Sequence, residues 1–395
     1  MRQVAHLPRM GRVRFPRTVR ALALGAVLAA VPGAPAVRAA AAPTGAQTGV
    51  VFTQYAPQAS SAELLSRSLS PLAAEQAKGI LARASGHLIE QAVDLSEERF
   101  LLYVPATAPA QGYGLLVFVP PWDEARLPEG WSAVLEHTGL IYVSAQRSGN
   151  DQNPLTRREP LALLAAYNVM QRYPVDAQRV YVGGFSGGGR IALRLALGYP
   201  DVFHGALLNA GSAPLGNGVP AVPRTELLRR FQESTRLVYV TGEYDAVPLA
   251  GDVDSRESMR RWCVFDVETE VVHGTAHEAA SARVLSRALE QLFTHTRPDP
   301  ARLAACRAEL DKEVTGQLDK AEALIHGGRN AEAQKLLLEI DRRFGGLAAP
   351  RSIELQMALN CDPSLPEDRT RARCEHAGGP APDPSRVAQN RLPGR

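Results

Sequence analysis

The residues with the clearest chemical meaning are Gly184-Phe185-Ser186-Gly187-Gly188. They read as G-x-S-x-G. The β-branched run Val180-Tyr181-Val182 precedes them, and Ile191, Leu193, Leu195 and Ala196 follow at helical spacing. A strand, a sharp turn and a helix in that order lift a serine hydroxyl above the end of a sheet, and glycine fits where the turn crowds neighbouring backbone. A serine hydroxyl is a poor nucleophile at neutral pH. It needs a base within hydrogen-bond reach, and that base needs an acid to orient it. A phosphate-cradling loop is excluded at this turn because no GxxxxGK[ST] pattern is present.

Gly184-Phe185-Ser186-Gly187-Gly188, with its flanking strand and helix, resembles the nucleophile elbow of the α/β-hydrolase fold family. Within that family the likeness is to exported esterases grouped with polyhydroxybutyrate depolymerases, feruloyl esterases and dienelactone-hydrolase-like proteins. It covers residues 87 to 297, and it is specific for the superfamily but names no substrate. The resemblance implies the chain order serine, acid, histidine. His87 and His137 precede the serine, His204 precedes any plausible acid, and His295, His326 and His376 lie at or beyond the boundary. His277 in Gly274-Thr275-Ala276-His277 and His273 remain as bases, with His277 matching the family's glycine-led loop better. The acid belongs after the strand 237–240, where Thr241-Gly242-Glu243-Tyr244-Asp245 offers Asp245, with Glu243 as the alternative.

The oxyanion needs preorganised N–H donors. One is the backbone of Gly187. The other is expected after the strand 115–119, where relatives often carry His-Gly and this chain has Pro120-Pro121-Trp122-Asp123. Neither proline has an N–H, so the first available donor is Trp122, with Asp123 behind it. Phe185 and Trp122 are placed to line a substrate pocket, and the polar loop 146–151 offers Arg147 or Asn150 to substrate. No metal or organic cofactor is implied.

The elements that must hold these residues can be read from periodicity. Strand signals at 115–119, 140–143, 179–182, 206–208, 237–240 and 267–272 alternate with helical signals at 131–137, 161–173, 188–197, 226–231 and 277–294. Such alternation predicts an α/β protein with a mostly parallel central sheet covered by helices, whose chemistry lies at the carboxyl ends of the strands. Two β-rich runs, 87–94 and 99–104, predict an antiparallel opening pair, preceded in the segment 42–86 by a helix over 62–84. After Pro298 and Pro300 the pattern turns wholly helical, with a break at Gly327-Gly328, giving a small helix–turn–helix extension over 298–362 and a disordered tail over 363–395. One such unit is too short to stand as a solenoid, so it is expected to pack on the hydrolase domain or to contact a partner protein.

Five arginines from Arg9 to Arg20, the apolar run 21–31 and small residues near 39–41 have the pattern of a secretory signal peptide over 1–41. Periplasmic or extracellular residence follows, without stable membrane insertion after cleavage. The net charge of +3 points away from nucleic acid. Four cysteines with no CxxC spacing point to disulfides rather than zinc. Because the first C-terminal helix is long, Cys306 and Cys361 fall near opposite ends, and the preferred pairing is Cys263–Cys306 with Cys361–Cys374.

The leading reading is an exported serine hydrolase of small-molecule or polymeric carboxylic esters. A serine peptidase of the prolyl-oligopeptidase type shares this core, although no propeller-length region precedes it. A non-catalytic binding module using the C-terminal helices is the reading from another class.

Overall fold

The computed structural model describes residues 42–85 and 88–360. The segment 1–41 expected to be a signal peptide, the expected tail over 363–395 and the expected Cys361–Cys374 pairing lie outside the described residues. Eight strands form one sheet: β1 (Gly45–Val50), β2 (Phe100–Val104), β3 (Tyr113–Val119), β4 (Leu140–Ala145), β5 (Val175–Phe185), β6 (Gly205–Asn209), β7 (Arg236–Gly242) and β8 (Val267–Val272). Their spatial order is β1-β2-β4-β3-β5-β6-β7-β8. β2 runs antiparallel to both β1 and β4, and every other pair is parallel. The architecture expected from the alternation is therefore present. Strands β3, β4, β6 and β7 are buried along their whole length, as unbroken apolar runs require when helices cover both faces.

Eleven α-helices complete the described residues: α1 (Ser61–Ser68), α2 (Pro71–Ser85), α3 (Trp131–Thr138), α4 (Glu159–Arg172), α5 (Gly187–Gly198), α6 (Thr225–Ser234), α7 (Ala246–Arg261), α8 (Ala282–Phe293), α9 (Pro300–His326), α10 (Asn330–Phe344) and α11 (Arg351–Asn360). Helices α3 and α8 cover one face, where Trp131, Leu135, Leu285 and Leu289 pack on Phe118, Tyr142 and Val240. Helices α4 and α5 cover the other, with Leu161, Leu164, Ile191 and Leu195 against Val117, Val143 and Val182. Each fully buried side chain of this size contributes ~1.5–3 kcal/mol of transfer free energy. No helix among the described residues is long and apolar enough to cross a membrane.

Four expectations need correction. The antiparallel partner of β2 is β1, not the run 88–94. β1 has a single large apolar residue, Val50, and lies at the sheet edge, so it carries no core signal. The run 88–94 makes only an isolated bridge, Ser60 to Gln91, and ends where Asp94 caps a short turn by accepting from Ser96 N. The sheet thus begins within the segment taken as a lead-in, before residue 87. The helix over 62–84 is two helices, because Pro71 lacks an N–H and steers Ser70 away from helical angles. Helix α8 begins at Ala282 rather than His277: Ser281 caps it by accepting from Val284 N, and the preceding N–H of Ala280 is given to a side chain elsewhere. Helix α7 carried no clear periodicity and was not expected.

The C-terminal helices pack in cis. Val314, Leu318, Leu337, Ile340 and Phe344 share the core that contains Met259 and Trp262. The Arg307 guanidinium donates to Gln232, Glu233 and the Arg229 carbonyl on α6. A Cys263–Cys306 disulfide, Cα–Cα 5.8 Å, joins the end of α7 to α9. The buried carboxylate of Asp341 on α10 accepts from Ser70 Oγ at 2.5 Å and from Leu72 N at 3.0 Å, so it caps the start of α2.

Candidate active site

Ser186 sits between β5 and α5 with φ 55° and ψ −122°, a conformation that costs a non-glycine residue about 1–3 kcal/mol. The flanking glycines are required by space. A Cβ on Gly184 would lie 2.3 Å from the Gly188 carbonyl carbon and oxygen, and one on Gly188 would lie 1.9 Å from the Val119 oxygen. The bend is braced by a hydrogen bond from Ser186 N to the Asn209 carbonyl, 2.8 Å.

His277 reaches the serine from the loop after β8. Its Nε2 lies 3.0 Å from Ser186 Oγ and its Nδ1 lies 2.6 Å from Asp245 Oδ2. Asp245 is buried to 9% exposure at the start of α7, whereas the imidazole is 45% exposed. With Nδ1–H donated to the carboxylate, Nε2 is free to accept the serine proton. The alternative candidates pair with each other instead: His273 Nδ1 is 3.5 Å from Glu243 Oε2, and the His273 side chain is 88% exposed. The Gly274 N–H donates to Glu243 at 3.0 Å and holds that carboxyl below its ordinary pKa.

Gly187 is the first residue of α5, so its N–H has no partner within the helix and points out of the positive end of the helix dipole. Among the described hydrogen bonds, the Trp122 and Asp123 N–H groups have no protein acceptor either. The loop that carries them is tied to the next one: Asn150 N donates to Pro121 O at 3.0 Å, Arg147 N to Asp123 O at 2.6 Å, and Gly149 N to Asp123 Oδ1 at 2.8 Å. The Asn150 amide lies against the Cα of Gly187, where a Cβ would be 2.1 Å from its Oδ1.

Phe185 and Arg147, the residues expected to meet substrate, both have partners within the protein. Phe185 is 7% exposed, with its ring centroid 4.8 Å from the His277 imidazole and 6.0 Å from Trp122, so it is a wall supporting the histidine. Trp122 in turn lies under the Arg126 guanidinium at 3.9 Å. The Arg147 guanidinium is taken up by the Glu97 carbonyl and the Glu98 carboxylate.

Two residues at the site escaped the sequence reading. Asn209, at the end of β6, donates through Nδ2 to Val240 O (3.0 Å) and Glu278 O (3.4 Å) and accepts from Ala280 N (2.8 Å). It therefore grips both the acid strand and the histidine loop. The available signal was an asparagine closing the apolar run 206–208 at the active edge. Asp252 on α7 is buried, and its carboxylate accepts from Ser212 and Thr241, both at 2.6 Å. Burial raises its pKa despite those bonds.

No protein-family model matches the chain. A stretch of 103 residues is 36% identical to a poly(3-hydroxyalkanoate) depolymerase C of Paucimonas lemoignei, covering 22% of this chain and 23% of that protein. The chain thus matches less than a quarter of that relative's length. Similar solved structures include a ferulic acid esterase (15% identity, TM-score 0.38, 49% of this chain and 90% of that one) and an acetyl xylan esterase from Aspergillus awamori (12%, 0.38, 50% and 94%). Est1E from Butyrivibrio proteoclasticus aligns over 50% of this chain and 95% of its own, at 15% identity and TM-score 0.36. The assignment of the fold comes from the molecule's own topology. A sheet in the order 1-2-4-3-5-6-7-8 with only β2 reversed, and a strained serine between its fifth strand and the following helix, give this chain the α/β-hydrolase fold.

Proposed function

We propose that this protein is an exported serine hydrolase of carboxylic esters. The observation that carries the reading is the continuous hydrogen-bonded line from Ser186 Oγ through His277 to a buried Asp245, open to solvent at the serine end. Ser186 Oγ attacks the ester carbonyl while His277 Nε2 takes its proton. Asp245 holds the imidazole in the required tautomer and stabilises the imidazolium. The oxyanion is received by the N–H groups of Gly187 and Trp122. The imidazolium then protonates the departing alkoxide, leaving an acyl-enzyme. Water, deprotonated by His277, attacks that acyl group, and collapse returns the serine and releases the acid.

The esterases and the depolymerase among the similar proteins support an ester as substrate. The Cys263–Cys306 disulfide supports export, because such bonds persist in oxidising compartments. A fluorophosphonate probe tests the nucleophile: wild type labels, and Ser186→Ala does not. A folded wild type that resists labelling would overturn the reading in favour of a binding module. p-Nitrophenyl esters assayed against peptide anilides separate an esterase from a peptidase.

A further inference from the structure

We propose that Arg158 is a positioning residue for the oxyanion loop, holding through the Pro120 carbonyl a segment whose first two residues have no N–H to donate. The inference rests on the reading of Ser186 as nucleophile. Pro120 and Pro121 begin the loop after β3, and neither can anchor itself by donating. What remains to them is their oxygens. Arg158 Nη2 donates to Pro120 O at 2.9 Å and Arg158 Nε to Ser148 O at 3.0 Å, so one planar group spans the oxyanion loop and the loop beside it. The residue just before, Val119, has its carbonyl wedged against Gly188 of the elbow. Pro120 is therefore fixed on one side by the nucleophile turn and on the other by the guanidinium. The next free N–H along the chain is that of Trp122.

Arg158 is buried for its hydrogen bonds rather than for a salt bridge. Arg158 is 4% exposed and forms no ion pair among the described residues. The adjacent Glu159 carboxylate is occupied by Arg194 and Ser68, at 2.5 and 2.6 Å. Burying a guanidinium costs desolvation that the Asp123 and Glu159 carboxylates only partly offset, and what it supplies in return is the pair of hydrogen bonds to Pro120 O and Ser148 O. Burial draws the Arg158 pKa down to about 10, so the group stays charged at neutral pH. Arg158 also closes a wide turn, Pro154–Arg158, in which its own N–H bonds back five residues to Asn153 O at 3.1 Å. Such turns concentrate at functional sites.

The test compares wild type with Arg158→Met and Arg158→Lys, each checked for folding by circular dichroism. Activity is read on p-nitrophenyl acetate, and inhibition is measured with phenylboronic acid, which mimics the tetrahedral oxyanion. A misplaced donor loop acts on the transition state, so kcat of Arg158→Met should fall about 10–100-fold with KM within twofold. The boronate inhibition constant should rise by a similar factor. Arg158→Lys keeps the charge but reaches only one carbonyl, and should fall between. A folded Arg158→Met with wild-type kcat, or with only KM raised, overturns the proposal. If Arg158→Met does not fold, Arg158→Lys decides: wild-type melting with reduced kcat supports it, and wild-type kcat overturns it. A wild type that neither labels with fluorophosphonate nor turns over ester removes the Ser186 reading, and this proposal with it. An active wild type with unaffected Arg158 variants removes only the proposal.

Discussion

Replacing Asn209 with alanine tests how the site is assembled. The side chain makes three hydrogen bonds, but their loss is unequal. Val240 O keeps a second donor, Ala210 N at 2.8 Å, so it stays satisfied. The Ala280 N–H loses its acceptor in a buried place, which costs about 1–3 kcal/mol, and the bonds to Val240 and Glu278 add about 0.5–1 kcal/mol each. The expected loss of stability is therefore about 2–5 kcal/mol, readable by urea unfolding. The kinetic effect should exceed what instability explains. Glu278 and Ala280 flank the point where the histidine loop meets the sheet, one and three residues beyond His277, and releasing them lets the imidazole drift from Ser186. A displacement near 1 Å is worth about 10²-fold in kcat. Ester hydrolysis measured well below the melting temperature, together with the rate of fluorophosphonate labelling, separates the two effects. A variant that is destabilised as expected yet labels and turns over at the wild-type rate would refute the positioning argument.

Other outcomes follow from particular contacts. Ser186→Gly should be inactive yet more stable than Ser186→Ala by about 1 kcal/mol in thermal unfolding, because glycine relieves the positive φ. Replacing Cys263 and Cys306 with alanine opens a loop spanning 43 residues; the expected cost is about 2–4 kcal/mol with kcat unchanged. That kcat should hold because α7 separates the bond from Asp245 by its whole length. Asp252, whose pKa is raised in the fold, binds its proton more tightly there than in the unfolded chain. Its contribution to stability is thus full below the ordinary aspartate pKa and is lost as pH rises through the raised value. Melting of wild type and Asp252→Asn compared from pH 3.5 to 7.5 should show the variant gaining on wild type as pH rises, and a constant gap would contradict this.

The elbow was legible because its glycines answer a local steric demand. The strands between residues 113 and 242 were legible where burial on both faces leaves unbroken apolar runs, so only the buried part of β5 was read. His277 and Asp245 could be named as candidates, each with a rival, since the chain order implied by the resemblance and the strand ends narrow the field. What separates His277 from His273 is which way the loop turns after Val272, and that depends on Asn209, 68 residues before His277 in the sequence. The edge strand β1 was hidden because it buries little. Helix α7 was hidden because its inner face is polar: Asp252, Ser255 and Ser258 point inward and bond to Ser212, Tyr239 and Leu215 N. Buried polar contacts of this kind leave no hydrophobic period to detect. Arg158 was hidden because an arginine between Arg157 and Glu159 reads as part of a solvated charged run.

The carboxylate that Asp341 lends to Ser70 and Leu72 bridges 271 positions of sequence. During synthesis the start of α2 emerges long before its cap exists, so this early helix must wait, incompletely satisfied, for the last helices to arrive. Capping of α2 is thereby deferred until α10 has been made. Under the export proposed above, such a late latch would keep the polypeptide pliable until its C-terminal helices are in place.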